Sequence, residues 1–302
     1  MLREPARSLG LAMTPEDSRT RLAIQVWKAN GGSLLSLLLR TTADAVSKPF
    51  YRFYERWLNA QALTWRVPRH IGIIMDGNRR FARMLGSSDL SFGHKLGADK
   101  LREMLDWCFE HNIPVVTVWG FSLDNFNRDS EEVRTLLQLF EQKTREMITS
   151  PDLHDNQVRV RFIGRRDLLP ASLQDTIALV ERATAHYDRF VLNIALAYGG
   201  REEITDAFRD YLAQQLTTGK DLRQALEAFS HKAVERFLYT SGLPEPDLII
   251  RTSGEVRMSG FLMWQSAYSE YYFCDMNWPA FRKIDFLRAL RSYDERQRRF
   301  GR

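Results

Sequence analysis

The chain is poor in cysteine: Cys108 and Cys274 are the only two in 302 residues. Two thiols set in apolar stretches make neither a disulfide framework nor a thiolate metal site. They read as buried side chains in a reducing compartment. Long hydrophobic runs are also missing. The densest, Leu34 to Leu39, is interrupted by Ser36 and stopped by Arg40, far short of the roughly 20 residues of a membrane-spanning helix. Arg3, Glu4 and Arg7 are followed by no apolar stretch, so no secretory signal is read. There is no Gly-x-x-x-x-Gly-Lys-Ser/Thr loop, which argues against NTP hydrolysis, and no dinucleotide glycine fingerprint after the first apolar run. These absences lead us to expect a cytoplasmic protein. Repeats and low-complexity segments are absent too.

What is present is globular in character: 44% hydrophobic and 27% charged residues, with a formal net charge of +5. The positive balance suits anionic partners, whether nucleic acid, anionic lipid or phosphorylated small molecules, although an ordinary basic surface would give it as well. Residues 1–20 are polar, contain Pro5 and Pro15, and are expected to be disordered. Residues 21–64 have helical patterning in two pieces, broken at Gly31-Gly32 and again near Pro49. The second piece spaces Phe50, Phe53, Tyr54, Trp57, Leu58 and Leu63 among Arg52, Glu55 and Arg56. It suits a helix packed on the body of the protein, and it also suits peripheral contact with a membrane. We therefore divide the chain into an N-terminal extension, 1–64, and a main domain, 65–302.

From residue 70 onward, apolar runs at 70–75, 114–120, 158–163, 190–197 and 247–251 alternate with helical periodicity at 95–111, 131–148, 171–186 and 201–216. Residues 217–245 read as a helical insertion. This order predicts an α/β fold, a mostly parallel sheet flanked by helices. In such a sheet, the segments after successive strands share one edge, where open α/β sheets bind ligands. Four of these segments are polar. The first is Asp76-Gly77-Asn78-Arg79-Arg80, where an apolar strand stops at an acid and a turn-prone pair leads into a helix. The second is Ser122 to Arg128, the third Tyr198 to Arg201, and the fourth Arg251 to Ser259. Backbone N–H groups and arginines suit diphosphate oxygens, and Asp76 suits Mg²⁺. Asp76 could instead be a helix cap, but a cap leaves the two arginines behind it unexplained. Ser122 and Asn125 could be turn formers. His94, placed just before a helix, and Glu270, in an aromatic strand-like run, have no role on spacing alone.

Five stretches resemble the cis-prenyltransferases, the undecaprenyl and dehydrodolichyl diphosphate synthases. They are MDGNRRFAR at 75–83, GHKLGA at 93–98, FSLDNFNR at 121–128, AYGGREEI at 197–204 and RTSGEVRMSGFLMWQSAYSEYYF at 251–273. The resemblance covers residues 68–302. It implies a dimer, homomeric or heteromeric, that condenses isopentenyl diphosphate onto an allylic diphosphate such as geranyl or farnesyl diphosphate with a Z double bond. No nucleic-acid partner is implied. By position, Asp76 is implied as the catalytic Mg²⁺-binding acid and Glu270 as a second metal-associated acid. Gly77, Asn78, Arg79, Arg80 and Phe81, with His94, match the allylic diphosphate cradle. Ser122 and Asn125 match residues implicated in proton removal. An amide is a poor base, so Asn125 is better suited to orienting water or phosphate. Leu123, Asp124, Phe126, Arg128 and Met258 match substrate-side positions, and Arg251, Arg257 and Ser259 match the isopentenyl diphosphate site. Arg299 and Gly301 match a motif that reaches a partner subunit's site.

There are departures from the pattern. Arg79 stands where many bacterial members have Gly, Phe126 replaces a frequent Trp, and Leu90 replaces an arginine of some bacterial members. The C-terminal part also resembles actinobacterial short-chain members that make a Z,E-farnesyl product. The small Gly120 sits where it can line a product tunnel. The D-D-x-x-D motif of the all-helical trans-type synthases is absent. Two rival readings are a non-catalytic partner subunit, which the retained Asp76, Asn125, Arg251 and Arg257 argue against, and a metal-dependent phosphatase. The latter needs a second acid near Asp76, and residue 78 is Asn.

Overall fold

The computed structural model describes residues 51–87 and 89–297. Six strands form one sheet: β1 His70–Ile74, β2 Val115–Trp119, β3 Val158–Ile163, β4 Phe190–Ala195, β5 Leu248–Arg251 and β6 Glu270–Phe273. Their order is β3-β4-β2-β1-β5-β6, and every neighbouring pair is parallel. The central strands are β-branched and buried on both faces. That is why they read in the sequence as continuous apolar runs rather than alternating ones. β6 was read only as strand-like. It is a true edge strand, paired Leu248 to Glu270.

Ten helices are described: α1 (51–62), α2 Asn78–Met84, α3 Leu90–Glu110, α4 Ser130–Met147, α5 Pro151–Asp155, α6 Ala171–Thr184, α7 Gly200–Thr217, α8 Leu222–Glu227, α9 His231–Glu235 and α10 Lys283–Gln297. The expected insertion at 217–245 is the pair α8 and α9. The largest core joins β1 to β5 with α3, α4, α6 and α10, and contains Met104, Leu136, Leu173, Val118, Leu192 and Phe286. Each such side chain contributes about 1.5–3 kcal/mol of burial. A second cluster, with Ile74, Tyr198, Ile249, Phe261 and Leu262, joins the strand ends to the segment that follows Ser259.

A buried polar chain crosses the centre of the sheet. His70 lies between the carbonyl of Pro244 (Nδ1, 2.7 Å) and Thr117 Oγ1 (Nε2, 2.8 Å), and Asn193 donates to the same hydroxyl at 2.9 Å. A carbonyl can only accept, so Nδ1 carries the proton and Thr117 donates to Nε2. Burial lowers the His70 pKa to about 4, against smaller opposing effects of Pro244 and Asp247.

α1 packs on the body of the protein. Leu58 and Ala62 form a small cluster with Ile284 and Leu287 of α10. α10 in turn lies beneath the amino ends of the strands, where Lys283 pairs with Glu110 at the end of α3 and Arg296 pairs with Glu270 at the start of β6. The expectations for residues 1–50, and for Arg299 and Gly301, lie outside the described residues. So does the side chain of Leu90.

Candidate active site

The four polar segments do converge on the carboxyl edge of the sheet, because β1, β2, β4 and β5 are adjacent and parallel. Gly77 turns the chain from β1 into α2 at φ 100°, a conformation that favours glycine, and it is the helix N-cap. Asp76 is therefore not a cap. Its backbone carbonyl is held by Thr252 Oγ1 at 2.8 Å and Trp278 N at 2.9 Å. Its carboxylate Oδ2 accepts from Arg251 Nη2 at 2.9 Å, and Oδ1 has no partner among the described residues.

Arg251 is the hub of the edge. Its side chain is only 5% exposed. Besides Asp76, it donates to Ser259 Oγ at 2.7 Å and to the carbonyl of Arg257. This explains how a cation continues an apolar strand. Its charge is matched by one carboxylate, and its hydrogens also anchor the loop that carries Arg257, Met258 and Ser259. Ser253 and Ser259 take positive φ of 76° and 52°, so the loop turns tightly.

Two further carboxylates, neither anticipated from the sequence, bridge arginine pairs. Glu255 joins Arg80 (2.8 Å) to Arg257 (2.5 Å). Glu132 joins Arg128 (3.1 Å) to Arg79 (3.5 Å). Arg80 also donates to the carbonyl of Ser253 at 2.8 Å. The first and fourth segments are thus stitched together by Arg80, Arg251 and Thr252. Phe81 is half-buried in α2, whereas Met258 is exposed.

His94 corrects one expectation: it lies within α3, not before it. Asp89 caps that helix by accepting from Ser91 N at 2.8 Å. Gly93 and Gly97, which interrupt the apolar pattern, are the places where Asn78 meets α3. A Cβ at Gly93 would come within 2.1 Å of Asn78 O, and one at Gly97 within 2.3 Å of Asn78 Oδ1. Asn78 Nδ2 donates to Met75 O at 3.1 Å, while Asn78 Oδ1 and His94 Nε2 are buried without partners. Burial, with the charges of Arg128 and Arg79, lowers the His94 pKa to about 4, and Glu132 partly opposes this. His94 Nε2, near Arg79 and Arg128, is a buried ring nitrogen open to a ligand, whereas Asn78 Oδ1 can only accept a hydrogen bond.

Ser122 and Asn125 make a turn: Asn125 Oδ1 accepts from Ser122 N at 3.0 Å. The amide's Nδ2 makes no hydrogen bond among the described residues. Leu123 N donates to Tyr198 O at 3.1 Å, tying this turn to the third segment. Phe126 packs edge-on against Phe121 at 4.9 Å, and Asp124 is exposed.

Beneath Asn78 and His94 runs an apolar cavity of about 380 Å³ between α3, α4 and the sheet. Leu101, Leu105, Val118, Gly120, Leu139 and Phe140 line it. It reaches past Phe109 and Met147 to the exposed neighbourhood of Asp152. Asn78 and His94 thus open onto a mostly apolar interior whose far end carries Arg102, Asp106, Lys143, Glu146 and Asp152.

Glu270 does not join Asp76 in one chain. It opens β6, level with Leu248 and so with Ile71 of β1. At about 3.3 Å per residue this puts it roughly 15 Å from Asp76 along the strand direction. No group of three or more His, Cys, Asp or Glu side chains able to hold a metal occurs among the described residues.

Residues 74–301 match the family described as putative undecaprenyl diphosphate synthase. The chain belongs to the cis-prenyltransferase family. An isoprenyl transferase from Thermus thermophilus is 52% identical over 258 residues, covering 85% of this chain and 98% of the relative. A tritrans,polycis-undecaprenyl-diphosphate synthase (geranylgeranyl-diphosphate specific) from Pyrococcus horikoshii is 49% identical over 255 residues, 84% of this chain and 95% of its own. Among solved structures, lavandulyl diphosphate synthase from Lavandula x intermedia, in complex with dimethylallyl diphosphate, superposes with TM-score 0.68 at 32% identity. It spans 76% of this chain and 95% of its own. A probable undecaprenyl diphosphate synthase from Campylobacter jejuni gives 0.62 at 27% identity, with 78% and 100% coverage. This cis-prenyltransferase is therefore an enzyme of prenyl chain elongation.

Proposed function

We propose that the enzyme condenses isopentenyl diphosphate with an allylic diphosphate, geranyl or farnesyl diphosphate, and lengthens it with Z geometry in a Mg²⁺-dependent reaction. The observation that carries this reading is the Asp76–Arg251 contact. It joins two arginine clusters at the mouth of an apolar cavity of about 380 Å³. One cluster, Arg79, Arg80 and Arg128 with His94 and Asn78, takes the allylic diphosphate, whose tail enters the cavity. The other, Arg251, Arg257 and Ser259, takes isopentenyl diphosphate.

A single carboxylate with one unengaged oxygen, facing a site for phosphate oxygens, fits Mg²⁺, which keeps several waters and needs few protein ligands. Asp76 would hold it, and the ion would offset charge on the departing diphosphate. The chain's own groups do the rest. The arginines bind and orient both diphosphates, bringing the allylic C1 to the terminal alkene carbon. As the C1–O bond breaks, diphosphate leaves with the bonding electrons and Arg79, Arg80 and Arg128 stabilise it. The terminal alkene carbon bonds to C1 with the alkene's π electrons, positive charge develops on the internal alkene carbon, and a proton leaves the CH₂ next to that internal carbon to set the new double bond. Asn125 Nδ2 orients the phosphate or water that takes that proton. Gly77 lets the backbone approach the ligand, and Phe81, Leu123 and Phe126 exclude water.

The protein acts as a homodimer in this reading. β6 is an edge strand, and Glu270, with Arg299 and Gly301 beyond α10, serves a partner's site. The test is incubation of purified protein with Mg²⁺, labelled isopentenyl diphosphate and geranyl, farnesyl or geranylgeranyl diphosphate, then dephosphorylation and chromatography of the products. Extended Z-polyprenols are expected, and no extended product with any primer would refute the reading.

A further inference from the structure

α1 shows two unlike faces. Tyr54, Leu58 and Ala62 face α10, while Phe53 and Trp57, one turn apart, are 72% and 43% exposed, the Trp57 ring stacked on Tyr54 at 5.7 Å. Leu63, just past the helix, is 81% exposed. Arg52 and Arg56 flank these side chains, are exposed, and have no ion-pair partner among the described residues. Further cations come from α10 and the residue before it: Arg282 lies over the Tyr51 ring at 5.1 Å and Arg288 over Tyr54 at 5.6 Å. The acid on this part of α10 is Asp285, which pairs with both Arg282 and Arg288.

The position of this face matters as much as its composition. α3 runs from His94 at the mouth of the site to Glu110, about 24 Å of helix. The start of α10, which carries α1, pairs with Glu110 through Lys283 and packs Phe286 on Trp107 at 5.9 Å. α1 therefore lies toward the end of α3 remote from Asp76, on the Trp107 side of that helix, whereas the cavity follows the Leu101, Leu105 and Phe109 side toward α5.

We propose that α1 and the adjoining start of α10 form a docking face for an anionic lipid surface. Exposed aromatic side chains interleaved with cations suit a helix lying in the plane of the headgroups. There the rings enter the acyl boundary and the guanidinium groups meet lipid phosphates. A second copy is a poorer occupant. A twofold contact sets the same patch against itself and opposes Arg52 and Arg56 to their own counterparts. The benefit to the enzyme rests on the function proposed above: a polyprenyl product partitions into the same surface on which the enzyme would sit.

The test is flotation of the full-length protein with vesicles of phosphatidylcholine alone or mixed with phosphatidylglycerol, at rising salt. Binding to the mixed vesicles that weakens with salt is expected, with little binding to the neutral ones. Phe53→Ser/Trp57→Ser should lower partitioning roughly a hundredfold, from two rings no longer buried. Arg52→Glu/Arg56→Glu should remove the preference for anionic vesicles. All four side chains are exposed, so unchanged melting temperatures should confirm folded variants. Brominated lipid should quench the fluorescence lost in Trp57→Phe.

Three results overturn the proposal. The first is no binding to either vesicle, or binding that both double variants leave intact. The second is a fall in native mass on Phe53→Ser/Trp57→Ser, which would assign the face to a second copy. The third is a Trp57 already shielded from acrylamide without vesicles, which would assign it to the chain's own residues 1–50. Turnover of a short primer without vesicles, read in parallel, should match wild type in every variant. Its absence from all, wild type included, would sink the proposed function and leave the docking result standing.

Discussion

Replacing Asp76 tests the site and the fold separately, because its carboxylate serves both. Asp76→Ala leaves the Arg251 guanidinium 5% exposed, with only a hydroxyl and a carbonyl as partners. Removing one partner of a fully buried pair costs about 3–5 kcal/mol. Asp76 itself is one-third exposed, so water compensates in part, and about 2 kcal/mol is the better figure. For a chain of this size that lowers the melting temperature by roughly 4–6 °C. Asp76→Asn keeps an acceptor for Arg251 Nη2 and should cost about 1 kcal/mol. It loses the charge that would hold Mg²⁺ beside a diphosphate, and turnover should fall at least about a hundredfold. Thermal unfolding and steady-state turnover on the same preparations decide the matter. If Asp76→Asn keeps more than about a tenth of the activity, the carboxylate is not the catalytic acid. If Asp76→Ala melts at or above wild type, Arg251 does not depend on that charge.

Gly120 lines the cavity, and a Cβ there would lie 3.0 Å from Leu196 Cδ2 and 3.1 Å from Phe140. Gly120→Leu should shorten the product on chromatography at a cost of about 1–3 kcal/mol in stability, and an unchanged product distribution would refute the role given to the cavity. Glu203 is buried and accepts from Tyr198 Oη (2.5 Å), Tyr239 N (2.9 Å) and Gln265 Nε2 (2.8 Å), while Leu262 N donates to Tyr198 Oη. Glu203→Gln should raise KM for isopentenyl diphosphate several-fold with kcat near wild type, because this network backs the Arg251–Ser259 loop; an unchanged KM would remove it from the positioning of that loop. For His70 the folded pKa, about 4, lies below the ordinary 6.5. The folded state resists protonation, so stability is complete above that ordinary value, is lost as pH falls toward 4, and then levels. The full loss is about 3 kcal/mol, and a stability difference between wild type and His70→Asn that stays flat across this window would contradict it.

The sheet was legible in the sequence because its strands are apolar on both faces, and each of the five apolar runs ends in a strand of matching position. The convergence of the four polar segments followed from parallel topology alone. The start of α3 was not legible: Gly93 and Gly97 break the periodicity for a tertiary reason, the approach of Asn78, which no local pattern encodes. Glu270 shows the same limit. The resemblance implies a metal-associated acid there, and its level with Ile71 follows only from the register of β6 against β5, which is not written in either strand. Glu132 and Glu255 carry no assignment from the sequence, and the fold sets each between two arginines.

Those two acids bear on how the site binds. Arg79, Arg80, Arg128, Arg251 and Arg257 each contact one of the protein's own carboxylates, Glu132, Glu255 or Asp76, which offset three of the five positive charges. In the proposed function, diphosphate oxygens at Arg79, Arg80, Arg128 and Arg257 compete with Glu132 and Glu255, so binding there exchanges one anionic partner for another. Affinity is then a difference between two charge-assisted contacts, smaller than five arginines would suggest. The same exchange restrains the arginines before substrate arrives, which lowers the ordering cost of binding. It also makes Glu132 and Glu255 groups that a departing diphosphate must yield to, and such a site releases product without first having to create an unpaired cluster of cations.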